Sequence, residues 1–189
     1  MTLTARDLAY SMFGAYRLAR FDPTGLDYID RTPEGALKSF YAALIVLPAY
    51  ALLLTIRLWE QGIEAPLIQV VLVQSIAYVV NWTAFPLVMY RAADMLDRQA
   101  RFPDAVAANN WAAVVQMVVY LPAVVLGQLG VLPAPLASGL VFSIVLAMLS
   151  YQWFVLRTAL DIGGMPAAAL VMLDLFLSAL IADFADNML

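Results

Sequence analysis

Cysteine and histidine are both missing from this chain of 189 residues, and the two gaps remove most familiar chemistry before any motif is sought. Without cysteine there are no disulfides, no thiolate metal sites, no thiol nucleophile and no lipidated N-terminal cysteine. Without histidine there is neither imidazole metal ligation nor a histidine general base. Serine and aspartate lacking such a base, or a suitably placed lysine, do not make a nucleophilic site, and no glycine-rich phosphate loop is present. No catalytic residue, metal site or cofactor is expected, and the chain does not read as an enzyme. Charge is scarce too: 13% of residues carry it, against about a quarter in soluble domains. The net charge of −4 argues against nucleic acid as a partner.

What is present is hydrocarbon. The chain is 64% hydrophobic with a mean hydropathy of +0.84, the composition of an integral membrane protein whose first partner is the lipid bilayer. Residues 1–35 hold Arg6, Asp7, Arg17, Arg20, Asp22, Asp27, Asp30, Arg31 and Glu34 but no apolar signal core, so this segment is expected to be retained and cytoplasmic. Within it, residues 4–20 read as an amphipathic helix capped by Thr4 and Asp7. Ala5, Leu8, Ala9, Met12, Ala15, Tyr16 and Ala19 share one face, with Arg6, Asp7, Tyr10, Gly14 and Arg17 on the other. Two fates suit such a helix. It can lie in the headgroup layer with Arg6, Arg17 and Arg20 at the membrane surface, or pack on the end of a bundle. Asp22-Pro23-Thr24-Gly25 has the residues of a type I turn.

The rest, residues 36–189, is expected to form five spans at about 37–59, 66–90, 105–129, 136–160 and 165–183. The fold class is thus all-α, an integral membrane bundle of five transmembrane helices preceded by an interfacial helix. Gly35, Ser39 and Ala43 on the first span, and Ser143 and Ala147 on the fourth, are small residues that let helices approach closely. Pro48, Pro86 and Pro122 predict static bends. Glu60 to Ala65 reads as a short loop. The second span is expected to continue as helix to Arg101, pairing Asp94 with Arg98 and Asp97 with Arg101. Asp161-Ile-Gly-Gly164 predicts a glycine helix stop before the last span.

Five spans place the termini on opposite sides, and the basic residues then sort sharply. Arg6, Arg17, Arg20, Arg31, Lys38, Arg91, Arg98, Arg101 and Arg157 fall on the N-terminal side and only Arg57 on the other. By the positive-inside rule this predicts a cytoplasmic N-terminus and an exported, periplasmic C-terminus in a bacterial inner membrane.

The last span carries Asp174 at its middle, where an ionised carboxylate costs several kcal/mol unless it meets protein or water. Counting from the N-terminal side of each span at 1.5 Å per residue puts Asn81, Gln116 and Asp174 about 14–17 Å deep. Ser150 falls at much the same level, and Pro48 frees a carbonyl of the first helix nearby. A mid-membrane polar layer of Asn81, Gln116, Ser150 and Asp174 is therefore expected. It serves either as a helix-register anchor or as a proton or cation site, and the single acid with no basic partner favours the anchor.

The arrangement resembles the Yip1-type family of five-span membrane proteins. The residues behind the resemblance are Tyr120-Leu-Pro122 in the third span and the junction from Trp153-Phe-Val-Leu-Arg157 through Asp161-Ile-Gly-Gly-Met-Pro166 to Ala168. Eukaryotic members are implied to act in membrane trafficking through small GTPases, while bacterial members suggest a fold more than a job. No functional residue carries over. Short exported loops and small-residue ridges favour a non-catalytic scaffold or accessory subunit that associates laterally with a protein partner in the membrane. The alternative is a small solute, ion or proton carrier built around Asp174. The two part company on one observation: a carrier has a cavity that reaches Asp174, and an accessory subunit buries it.

Overall fold

The computed structural model describes residues 2–62 and 65–189; Ile63 and Glu64 of the loop expected after the first span lie outside the described residues. Among these residues there are helices and no strands: α1 (Ala5–Ala19), α2 (Pro33–Lys38), α3 (Tyr41–Gln61), α4 (Leu67–Met95), α5 (Phe102–Gln128), α6 (Ala134–Leu160) and α7 (Gly164–Asp186). Five helical stretches are long and apolar enough to cross a membrane, with α2 and α3 together making the first. The chain is an all-α, multi-pass membrane protein.

Thr4 and Asp7 close the reciprocal cap at the start of α1, the Asp7 N–H donating to Thr4 Oγ1 at 3.1 Å and the Thr4 N–H to Asp7 Oδ2 at 3.2 Å. These bonds hold the Asp7 carboxyl below its usual range. The helix ends where Phe21 takes a left-handed conformation (φ 57°). Asp22 then caps a 3-10 helix over Pro23–Tyr28 rather than a single type I turn. Helix α1 packs on the N-terminal end of α5 and the C-terminal end of α6, burying Ser11, Gly14, Ala15 and Leu18; of the expected face Ala15 is sealed and Leu8, Met12 and Ala19 pack against the core. Tyr16 is exposed and Gly14 is buried. Smallness decides this. A Cβ on Gly14 would stand 2.6 Å from the Gly25 carbonyl oxygen, and one on Gly25 would stand 2.5 Å from that of Gly14.

The first span breaks at Ser39 and Phe40, between α2 and α3. Its buried residues are Gly35, Ala36, Ser39, Ala42 and Val46, and Ala43 of the expected ladder is only half-buried. Gly35 packs against the backbone and side chain of Asp30 in its own preceding segment. Ser143 and Ala147 face outward from α6, Ser143 Oγ donating to the Gly139 carbonyl of its own helix at 2.8 Å.

Helix α4 does not run on to Arg101. It stops at Met95, Asp97 adopts φ 55°, and the Arg98 N–H returns to the Ala93 carbonyl at 2.7 Å. The two expected i,i+4 pairs therefore do not form. Asp94 accepts from Gln99, Arg98 Nε donates to the Asp161 carbonyl at 3.0 Å, and Arg101 pairs with Asp104 at 3.2 Å. Asp161 itself, at φ 54°, is the left-handed residue ending α6, a place where glycine was expected. Trp153 seals the following junction by donating from Nε1 to the Gly164 carbonyl at 2.8 Å.

Helix α5 is the hub, packed along α6, against α1, α2 and α3, and against α4 near the N-terminal side. Helix α7 lies between α4 and α6. Ala105, Ala107, Ala108 and Ala112 on α5 are sealed, and Met89, Ala93, Val155, Leu156 and Leu160 close around them. That core occupies the N-terminal side of the bundle. Beyond the level of Asp174 the buried spanning residues among those described are few: Gln74, Ala123 and Ala185.

Candidate binding cleft

Where the dense core ends, a cleft of about 360 Å³ begins, lined by residues from all five spans. Its base is set by a polar contact inside the core: Asn110 Nδ2 donates to Ser39 Oγ at 2.9 Å, and Ser39 donates in turn to the Ala36 carbonyl at 2.6 Å. That chain satisfies both side chains and pins the α2–α3 break to α5.

Asp174 enters the cleft from α7 and accepts a hydrogen bond from Gln152 Nε2 on α6. No cation lies within ion-pair distance of it among the described residues. One turn further along α7, Ser178 Oγ donates to Asn81 Oδ1 on α4 at 2.9 Å. Gln116 on α5 also faces the cleft, its amide reaching the Met148 carbonyl at 3.3 Å.

Three of the four residues expected to form a polar layer therefore meet in one space: Asn81, Gln116 and Asp174. Ser150 does not. It faces outward and donates to the Leu146 carbonyl of its own helix at 2.8 Å. At about 100° per residue, Ser150 stands roughly 200° away from Met148 and Gln152, which do line the cleft. Gln152 occupies the place expected for Ser150.

Along α3 and α4 the wall is aromatic. Tyr50 and Tyr78 have ring centroids 4.7 Å apart, and Tyr78 lies 6.1 Å from Trp82. The Tyr78 hydroxyl donates to the Ala43 carbonyl at 2.6 Å, the residue before Leu44, whose carbonyl is the one that Pro48 leaves without an N–H donor. The Tyr50 hydroxyl donates to Gln74 Oε1 at 3.2 Å. At the far end Arg57 of α3 meets Asp186 of α7 at 2.9 Å, tying two walls together. Arg57 Nε is buried and finds no acceptor among the described residues.

The lining residues absent from the sequence reading had a signal in their spacing. Asn109, Ala113, Gln116 and Tyr120 recur at helical period on α5, as do Asp174, Ser178 and Ala182 on α7. Of the three arginines assigned to the membrane surface, Arg6 and Arg20 are exposed. Arg17 is engaged within the chain, on Asp22 at 2.5 Å and on the Tyr28 hydroxyl at 3.1 Å. Among the described residues no group of three or more acidic side chains gathers that could hold a metal ion. No protein family, curated protein or solved structure matches this chain.

Proposed function

We propose that the chain is a carrier of a small polar solute in a bacterial inner membrane, with the cleft as its binding site and Asp174 as its acidic anchor. One observation carries this reading: a single cleft touched by all five spans reaches Asp174 and places Asn81, Gln116 and Ser178 beside it. An intramembrane carboxylate facing a cavity is the usual mark of a solute or ion path. The cleft's volume, about 360 Å³, falls at the small end of the range for ligand pockets, about 300–1,000 Å³. The N-terminus is assigned to the cytoplasm because nine of the ten basic residues belong to that end of the bundle. The likeness to Yip1-type proteins stays a proposal about fold and favours no substrate.

A second reading has one observation behind it. Gly139, Ser143 and Ala147 form an exposed small-residue stripe on the outer side of α6, which suits lateral contact with a protein partner of the accessory-subunit kind.

The cysteine-free sequence offers a clean test. Ala113→Cys introduces a thiol in the cleft and Ala147→Cys one facing lipid. A membrane-impermeant maleimide added to intact cells is expected to label the first and leave the second unreacted. If Ala113→Cys reacts only after detergent is added, water does not reach the cleft and the carrier reading fails.

A further inference from the structure

We infer that the cleft's occupant is a small organic cation, a quaternary or protonated amine; this deepens the carrier reading and rests on it. The charge in the cleft points this way. Among the described residues Asp174 meets only the neutral amide of Gln152, and none of them supplies its carboxylate with a counter-cation. Arg57 is already engaged with Asp186, twelve residues along α7 from Asp174, or about 18 Å of helix. An anion would be repelled by the one acid present, and a neutral solute would leave that acid desolvated without return.

A divalent inorganic cation fits poorly, because calcium takes six to eight oxygens and magnesium near-ideal octahedral geometry. A single carboxylate among amides does not supply such a shell. An organic cation sheds water more readily and is satisfied by one carboxylate plus the negative faces of aromatic rings. The cleft provides both. The Tyr50, Tyr78 and Trp82 rings follow one another along one wall, with centroids 4.7 and 6.1 Å apart and planes tilted by 43° and 56°. The Ser178–Asn81 bond at 2.9 Å ties the helix of Asp174 to the helix of Tyr78 and Trp82.

The test titrates the purified full chain with choline and, separately, with dimethylbutanol, choline's uncharged isostere. Trp82 lines the cleft, so tryptophan fluorescence and the melting temperature both report occupancy. Choline is expected to bind at least about tenfold more tightly than the isostere. Asp174→Asn is expected to abolish that preference and Asp174→Glu to retain it, while Trp82→Leu weakens choline by about 3- to 10-fold. The inference is overturned if the isostere binds as tightly as choline, or if Asp174→Asn keeps the preference. Should Asp174→Asn fail to fold, the wild-type preference and Asp174→Glu still decide. Failure of choline to bind while Ala113→Cys remains reactive overturns the cation alone; an unreactive Ala113→Cys overturns the carrier reading beneath it. Nanodiscs of phosphatidylethanolamine and of phosphatidylglycerol separate two sources of the same chemistry. Weaker choline binding in the former identifies an amine headgroup as the occupant, and equal binding identifies a free solute.

Discussion

The far end of the cleft is held by an ion pair whose removal should have a measurable effect on access. Arg57 Nη2 and Asp186 Oδ1 lie 2.9 Å apart, with side chains 37% and 28% exposed. Partial exposure screens such a pair, so its contribution is about 0.5–1 kcal/mol. The Gln74 amide, 3.5 Å from the same oxygen, lies at the limit of hydrogen bonding and adds little. If this pair keeps α3 against α7, its loss shifts the open population by about 2- to 5-fold, since 1.4 kcal/mol is a factor of ten. Arg57→Met in the Ala113→Cys background should raise the maleimide labelling rate by that factor. Asp186→Asn should do the same, with a further stability loss of about 1–3 kcal/mol, because it strands a guanidinium whose Nε is already buried with no acceptor among the described residues. The reversed pair, Arg57→Asp with Asp186→Arg, should return the rate toward wild type. High salt should speed labelling of the parent but not of Arg57→Met. A rate unchanged within twofold in both single variants would refute the idea that this contact guards the mouth.

Three further outcomes follow from the N-terminal side. Gly25→Ala sets a Cβ 2.5 Å from the Gly14 carbonyl oxygen and should loosen α1 by about 1–3 kcal/mol, seen as faster proteolysis of the first thirty or so residues with the spans intact. Hydrogen bonds from Thr24 and Arg17 hold the Asp22 carboxyl below its ordinary range. Its contribution to docking is therefore complete above the unfolded value of 3.8 and lost as pH falls through the lower folded value. Protease protection of α1 should stay flat between about pH 5 and 8 and decline only in stronger acid, and Asp22→Asn should remove that decline. Ser39→Ala deletes the acceptor of the buried Asn110 amide and should cost about 1–3 kcal/mol in detergent unfolding, with Asn110→Leu on top of it recovering part of the loss.

Depth along a helix was readable from the sequence and direction around it was not. A constant rise per residue makes counting a fair ruler, so Asn81, Gln116 and Asp174 were placed at one level and do share the cleft. Counting is blind to azimuth, and Ser150, at the right depth but about 200° from Met148 and Gln152, points outward. The polar stripe on α5 and the Gln152 partner needed the helical period applied to polar residues as it is applied to apolar ones. On α1 it was Gly14 in place of Tyr16 that escaped, because the fit against Gly25 depends on having no side chain at all. The stop at Asp97 was hidden as well, and the stop expected at Asp161–Gly164 is carried by the aspartate in place of a glycine. Aspartate tolerates left-handed backbone, but nothing local says which aspartate will adopt it.

The two halves of the bundle are held together by different forces, and on the carrier reading this difference decides where a solute would enter. In lipid no hydrophobic drive brings helices together, so association rests on close packing of small residues and on polar contacts between helices. The N-terminal half rests chiefly on the first, with the buried Asn110–Ser39 bond as a polar tie within it. Ala105, Ala108 and Ala112 let α5 meet its neighbours closely, and Met89, Val155 and Leu156 fill the gaps without exposure. Separating such a surface forfeits many dispersion contacts at once, and water offers nothing in exchange. The far half uses the second: Tyr50 with Gln74, Tyr78 with the Ala43 carbonyl, Asn81 with Ser178, and Arg57 with Asp186. Each of these groups can trade its partner for water or for a ligand at small net cost. Opening therefore belongs to the far half, where the ties are exchangeable, and the alanine-packed half forms the floor on which a solute at Asp174 would come to rest.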